Sequence, residues 1–191
     1  MLISHDKKFC FIHTPKTGGS TISYVLNKYC RNIAVNDKEH GWQIPLHEYG
    51  MHRPVKEVSK YIPGGYYSFA FVRNPFAVLV SGFKRKGYEN FKQFIISTFK
   101  EGSNYIFNKW TQYDYLSVDE KINLNFVGRY ENFSTDWNHI CSQIGIEETY
   151  NTLPVKNASY ESDYRDYYDD ETRKIVEKKY EKDLDYWGYK F

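Results

Sequence analysis

A chain of 191 residues can bury roughly 70% of the surface its unfolded form would expose; it reads as one domain over residues 1–191, and a closed cleft needs no partner. Its 26 basic and 24 acidic residues leave a net charge of +2, which argues against a nucleic-acid coat or an acidic tail and makes any anion site a local one. The chain shows no apolar run of signal-peptide length at its start and none near the roughly 20 residues of a membrane span, so it reads as soluble and cytoplasmic.

Cys10, Cys30 and Cys141 fall in apolar stretches without metal-ligand spacing and read as reduced, buried thiols. Aromatic residues make up 19% of the chain, with 19 tyrosines; they suit sugar or base stacking as well as ordinary packing. Nothing in the sequence speaks to the oligomeric state.

In chain order, 8–13 is a short apolar run expected of a strand covered on both faces. Ile22, Val25, Leu26 and Tyr29 keep helical spacing, so a helix begins near Ser20. The stretch 37–50, with Gly41, Pro45 and Gly50, reads as a loop that could cover a site. Pro54 suits the first turn of a helix carrying Val55, Val58 and Ile62, with His52 just before it. A turn at Pro63-Gly64-Gly65 precedes the second buried strand, YSFAFV at 67–72, which ends at Arg73-Asn74-Pro75. Pro75 starts a helix toward Lys84, and Asn90 caps the next one, with Phe91, Phe94, Ile95 and Thr98 on a face.

The third strand is NFVGRY at 125–130, followed by a helix with Trp137, Ile140, Cys141 and Ile144 on one face and Gly145 at its end. The segment 153–168 is polar and irregular, and 170–184 forms a last helix through Val176, Tyr180 and Leu184. Strands alternating with helices predict an α/β fold, a central, mostly parallel sheet flanked by helices, with ligands at the carboxyl ends of the strands.

Two polar clusters, Thr14 to Thr21 and Arg73 to Ser81, fall where a strand ends and a helix begins. Unpaired backbone N–H groups and the helix dipole favour an anion there. Gly18 and Gly19 allow close backbone approach, Thr17, Ser20 and Thr21 add hydroxyls, and Lys16 adds charge. The lysine stands ahead of the glycines, unlike the order GxxxxGK[ST] of the common nucleotide loop. Two anion cradles on one sheet suggest a ligand with two phosphate-like groups.

These residues resemble the sulfotransferases that use 3′-phosphoadenosine 5′-phosphosulfate (PAPS), above all the carbohydrate sulfotransferase branch. FIHTPKTGGST resembles the 5′-phosphosulfate loop and FAFVRNPFAVLVSGF the 3′-phosphate segment. VGRYENF, LPVKNAS and YEKDLDYWGYKF follow in family order, so the likeness covers nearly the whole chain. It implies a fold like that of the P-loop nucleotide hydrolases. It also implies that Lys16, Thr17, Gly18, Gly19, Ser20 and Thr21 wrap the 5′ end of the donor, that Arg73 and Ser81 hold its 3′-phosphate, and that Asn157 and Ser159 close over the nucleotide. The product would be adenosine 3′,5′-bisphosphate. Many relatives carry an arginine where this chain has Val78 and an aromatic hydroxyl where it has Phe83, a departure that bears on helix packing more than on donor binding.

Sulfuryl transfer builds negative charge on the oxygen left on the 5′-phosphate, and Lys16 is suited to meet it. The acceptor hydroxyl needs a base near neutral pH, which favours histidine. Of His5, His13, His40, His47, His52 and His139, the choice is His52. It lies between the two donor motifs at a helix start and matches the position where carbohydrate sulfotransferases often carry their base; His47 and Glu48 are the reserves. His13 looks structural in the family pattern. No metal is expected, because the sequence lacks the Lys-Ser/Thr magnesium pair, HExxH and paired cysteines. Acceptor recognition falls to 31–50, 84–88 and 105–115, where basic and aromatic side chains are dense. A nucleotide-dependent kinase and a non-catalytic nucleotide-binding module are the alternatives.

Overall fold

The structure, a computed structural model, describes residues 1–30, 52–153 and 163–191. Its sheet has the order β1-β2-β3-β4, with β1 at Leu2–Ser4, β2 at Phe9–Ile12, β3 at Tyr67–Val72 and β4 at Phe126–Arg129. β2, β3 and β4 run parallel, Phe9 lying opposite Tyr67 and Phe69 opposite Phe126, while β1 pairs antiparallel to β2. The sequence pattern predicts the three parallel strands but not β1. Three residues before a polar turn are too few for alternation to register, and β1 is held by pairing and by the buried Ser4, whose hydroxyl donates to the Tyr29 carbonyl at 2.6 Å.

Helices follow the strands: α1 at Gly19–Leu26, α2 at Val55–Val58, α3 at Pro75–Lys86, α4 at Phe91–Phe99, α5 at Ile106–Lys109, α6 at Gln112–Leu116, α7 at Phe133–Ile144, α8 at Asp170–Lys179 and α9 at Glu181–Trp187. Because successive side chains of a strand point to opposite faces, the sheet is covered twice. Phe9, Phe11, Phe69 and Phe71 pack with Ile22 and Leu26 of α1 and Trp137 and Ile140 of α7. Cys10, Ile12, Ala70 and Val72 pack on the other side with Val55 and Val58 of α2, Leu116 of α6 and Trp187. A third cluster, built on Phe76, Leu79, Phe94 and Tyr180, joins α3, α4 and α8.

The expected helix over 170–184 is two helices. The chain breaks at Tyr180, where φ is −107° and ψ 22°. Tyr180 is buried, and its hydroxyl donates to the Phe107 carbonyl at 3.1 Å. Anchoring this ring and turning Asp183 inward redirect α9 back toward the sheet. The helix expected from Pro54 is also shorter than its pattern: after Val58 it tightens into a 3₁₀ turn at Ser59–Tyr61. The three cysteines are free and buried as expected. Among the described residues no helix is long and apolar enough to cross a membrane. Asn157, Ser159, His40, His47, Glu48 and the segment 31–50 lie outside the described residues.

Candidate functional site

At the end of β2 the chain turns sharply into α1. Thr14 donates its N–H back to the Ile12 carbonyl at 3.1 Å, and the buried Thr17 hydroxyl donates to the Thr14 carbonyl at 2.9 Å. That hydroxyl, expected to face an anion, braces the turn instead. What Thr17 leaves to a ligand is its backbone. Lys16 has φ 65° and Gly18 φ 81°; for a lysine this left-handed conformation costs on the order of 1 kcal/mol and is held only because its surroundings fix it.

Gly18 precedes α1 and offers no side chain to cap it. Thr21 and Ile22 donate N–H to the Gly18 carbonyl at 3.0 and 3.3 Å, and among the described residues no backbone carbonyl takes the earlier amides of the turn. A Cβ on Gly19 would come within 2.1 Å of the His13 ring, and one on Gly18 within 2.9 Å of Phe133. The helix start therefore lies flat on His13, a contact only glycine permits. Burial, with His52 and the N-terminal amine adding to it, drops the His13 pKa to about 3, so its ring is neutral. His13 supports the turn, as Tyr115 does by donating its hydroxyl proton to the His13 carbonyl at 3.2 Å.

The turn after β3 is built differently, and one expectation fails there. Its backbone donors are already taken. Arg73 N–H donates to Gln112 Oε1 at 2.9 Å, Asn74 N–H to Glu131 Oε1 at 2.7 Å and Phe76 N–H to the Asn74 side chain at 3.1 Å. Pro75 has no N–H to give. The second cluster is thus no backbone cradle, because Asn74 caps α3 itself; it offers an anion side chains only. Asn74 is locked by its Nδ2, which donates to the Lys190 carbonyl at 2.9 Å.

The Arg73 guanidinium lies 4.1 Å from the centre of the Tyr130 ring, and its Nη1 reaches the Lys16 carbonyl at 3.5 Å. Tyr130 also lies beneath Gly18, so one aromatic ring floors both turns. Burial lowers the Arg73 pKa, opposed by Tyr130, Glu131 and Tyr189; the guanidinium stays charged at any ordinary pH. Ser81 is half-buried on α3, two turns on, and Ser20 is exposed at the start of α1.

His52 arrives from the far side of the loop. Its ring stands edge-on to His13 at 4.6 Å between centroids, and its Nδ1 lies 3.3 Å from the His13 carbonyl. A carbonyl only accepts, so Nδ1 carries the proton and Nε2 is left with its lone pair. Burial, the N-terminal amine, Arg85 and Lys16 lower the His52 pKa, against that hydrogen bond, and keep the ring neutral at pH 7. Lys16 is also lowered, first by burial and then by Arg85 and Arg73.

The geometry thus brings Lys16, Arg73 and His52 to one glycine-lined turn, beside α1's uncapped N-terminus. The charges acting on Lys16 are cationic, an arrangement that an anion would relieve. Arg85, exposed on α3 one turn after Ser81, belongs to this electrostatic environment, though the sequence placed it only in the 84–88 acceptor stretch and Tyr130 only in the third strand and the VGRYENF motif. Arg85 could have been found from its i, i+4 spacing to Ser81; Tyr130 had no signal of its own. Among the described residues no group of three His, Cys, Asp or Glu side chains could hold a metal ion.

Comparison with known proteins identifies the family. The model of the sulfotransferase family matches residues 1–190. An uncharacterized protein of Archaeoglobus fulgidus is 32% identical over 113 residues, covering 56% of this chain and 90% of its own length. No solved structure matches.

Proposed function

The chain belongs to the sulfotransferase family, and on that premise we propose that it transfers the sulfuryl group of PAPS to a hydroxyl of a carbohydrate. The observation that carries the reading is the meeting of Lys16, Arg73 and a neutral His52 around the turn between β2 and α1. A donor with a phosphosulfate at one end and a phosphate at the other matches a turn of open amides beside a separate guanidinium.

In this reading the amides of Thr17 to Thr21, with Lys16 and the hydroxyls of Ser20 and Thr21, surround the 5′ end, while Arg73 and Ser81 hold the 3′-phosphate. The nearness of the two turns sets the distance between the anionic groups they accept. Asn157 and Ser159 complete the nucleotide site, and the fold is that of a P-loop-like nucleotide binder. His52 takes the acceptor's proton at Nε2 as the new O–S bond forms. The S–O bond to the 5′-phosphate breaks, and Lys16 meets the charge left on that oxygen. Lys16 does this from a partly desolvated position, where its charge acts more strongly than it would in water. The residues of 31–50 and 84–88 and the unburied residues of 105–115, which leave out Gln112 and Tyr115, receive the sugar. Buried, reduced thiols fit a reducing compartment, so the cytoplasm is the proposed location.

The test is a saccharide panel incubated with PAPS and read by mass spectrometry. A saccharide that gains one SO₃ with release of adenosine 3′,5′-bisphosphate supports the reading. Transfer to no saccharide, with transfer to another class of hydroxyl, removes the carbohydrate acceptor; phosphate transfer from ATP would replace the reaction.

A further inference from the structure

Arg73 owes its place to two side chains outside the turns described so far. One amide grips its backbone on both sides: Gln112 Oε1 accepts the Arg73 N–H at 2.9 Å, and Gln112 Nε2 donates to the Arg73 carbonyl at 2.7 Å. Arg73 follows the last residue of β3, so this side chain continues the pairing that a neighbouring strand would otherwise supply.

Gln112 is itself held. Its N–H donates to Asp183 Oδ2 at 2.9 Å and its Nε2 to the same oxygen at 3.1 Å, while Tyr113 N–H donates to Asp183 Oδ1 at 2.8 Å. Asp183 is completely buried on α9, and Gln112 is 5% exposed. Among the described residues no arginine or lysine pairs with this carboxyl. Burial raises its pKa to about 6 against the hydrogen bonds from Tyr113, Gln112 and Thr111.

A lone buried carboxylate is costly to keep. It has one effect that an apolar residue could not reproduce. A carboxylate only accepts hydrogen bonds, so it selects the amide orientation with Nε2 toward α9. The flipped amide would set Oε1 against both the Asp183 oxygen and the Arg73 carbonyl. With Nε2 fixed there, Oε1 must face the Arg73 N–H, and the root of the guanidinium side chain is pinned from residues 39 and 71 positions apart along the chain.

We propose that Gln112, oriented by Asp183, is the positioning residue that aims Arg73 at the 3′-phosphate of the donor nucleotide. The inference rests on the reading of Arg73 as the ligand of that phosphate. It assigns selectivity for the 3′-phosphorylated nucleotide to a pair that touches no substrate.

The experiment compares calorimetric dissociation constants for adenosine 3′,5′-bisphosphate and adenosine 5′-phosphate in the wild-type chain and in Gln112→Met, which keeps length and removes both hydrogen bonds to Arg73. Loss of charge-assisted aim predicts that the variant's preference for the bisphosphate falls about tenfold, while its affinity for the 5′-phosphate moves less than about twofold. Asp183→Asn, which weakens the hold on Nε2 while the Arg73 carbonyl keeps its own, lowers the preference in the same direction by a smaller factor. A structural role alone would weaken both nucleotides together and leave the ratio intact, and that result overturns the proposal. If Gln112→Met does not fold, Gln112→Asn, one methylene short of spanning both Arg73 groups, carries the same prediction and the same overturning result. A wild-type chain that does not prefer the bisphosphate fails at the reading of Arg73 itself, a different outcome from unchanged ratios in the variants.

Discussion

The two strand-to-helix turns sit side by side at the carboxyl ends of β2 and β3, yet they are built on opposite principles. The first is open: Gly18 gives α1 no cap, Lys16 accepts a left-handed backbone, and the early amides of the helix are left to a ligand. The second is closed: Asn74 caps α3, Pro75 removes a donor, and Glu131 and Gln112 take the remaining amides. On the proposed function the first turn would recognise an anion through backbone and dipole, the second through the Arg73 side chain. Backbone recognition tolerates many anions. A guanidinium held at its root is selective for a phosphate at one place.

The contrast is broken most strongly at Lys16. Lys16→Ala should lower kcat for sulfuryl transfer about 100- to 1,000-fold, since a charge aimed at the leaving oxygen acts mainly in the transition state. Stability should change by no more than about 0.5 kcal/mol, because alanine carries the same Cβ cost in the left-handed backbone as lysine; wild-type turnover in the variant would reduce Lys16 to a bystander.

A smaller effect belongs to the second turn. Asn74→Ala should cost about 1–2 kcal/mol of unfolding free energy in denaturant titration, because it removes a helix cap together with a tie to the C-terminal segment. If stability stayed unchanged and nucleotide binding tightened, the start of α3 would be a masked anion site and the contrast between the turns would fail.

The strands β2, β3 and β4 and the apolar faces of α1, α4 and α7 were legible because burial repeats with a fixed period within one segment. Lys16, the glycines and Arg73 were legible because they sit at strand ends in a recognisable local order. What the sequence concealed depends on distance along the chain. Gln112 and Asp183 are ordinary polar residues in short helices, and their importance arises only when residues 39 and 71 positions apart meet. Tyr130 reads as the end of a strand until it is seen to lie under both Gly18 and Arg73. The closed nature of the second turn was hidden for the same reason: Asn74-Pro75 looked like any helix start, and the partners of its amides come from Glu131 and Gln112.

The measurement that bears most directly on a two-part anion site is the thermal stabilisation of the chain by adenosine 3′,5′-bisphosphate set against ATP with magnesium. The account predicts that the bisphosphate raises the melting temperature in a concentration-dependent way, as a ligand of the folded state must, and that ATP with magnesium does so far less. Stabilisation by ATP with magnesium and not by the bisphosphate would contradict it.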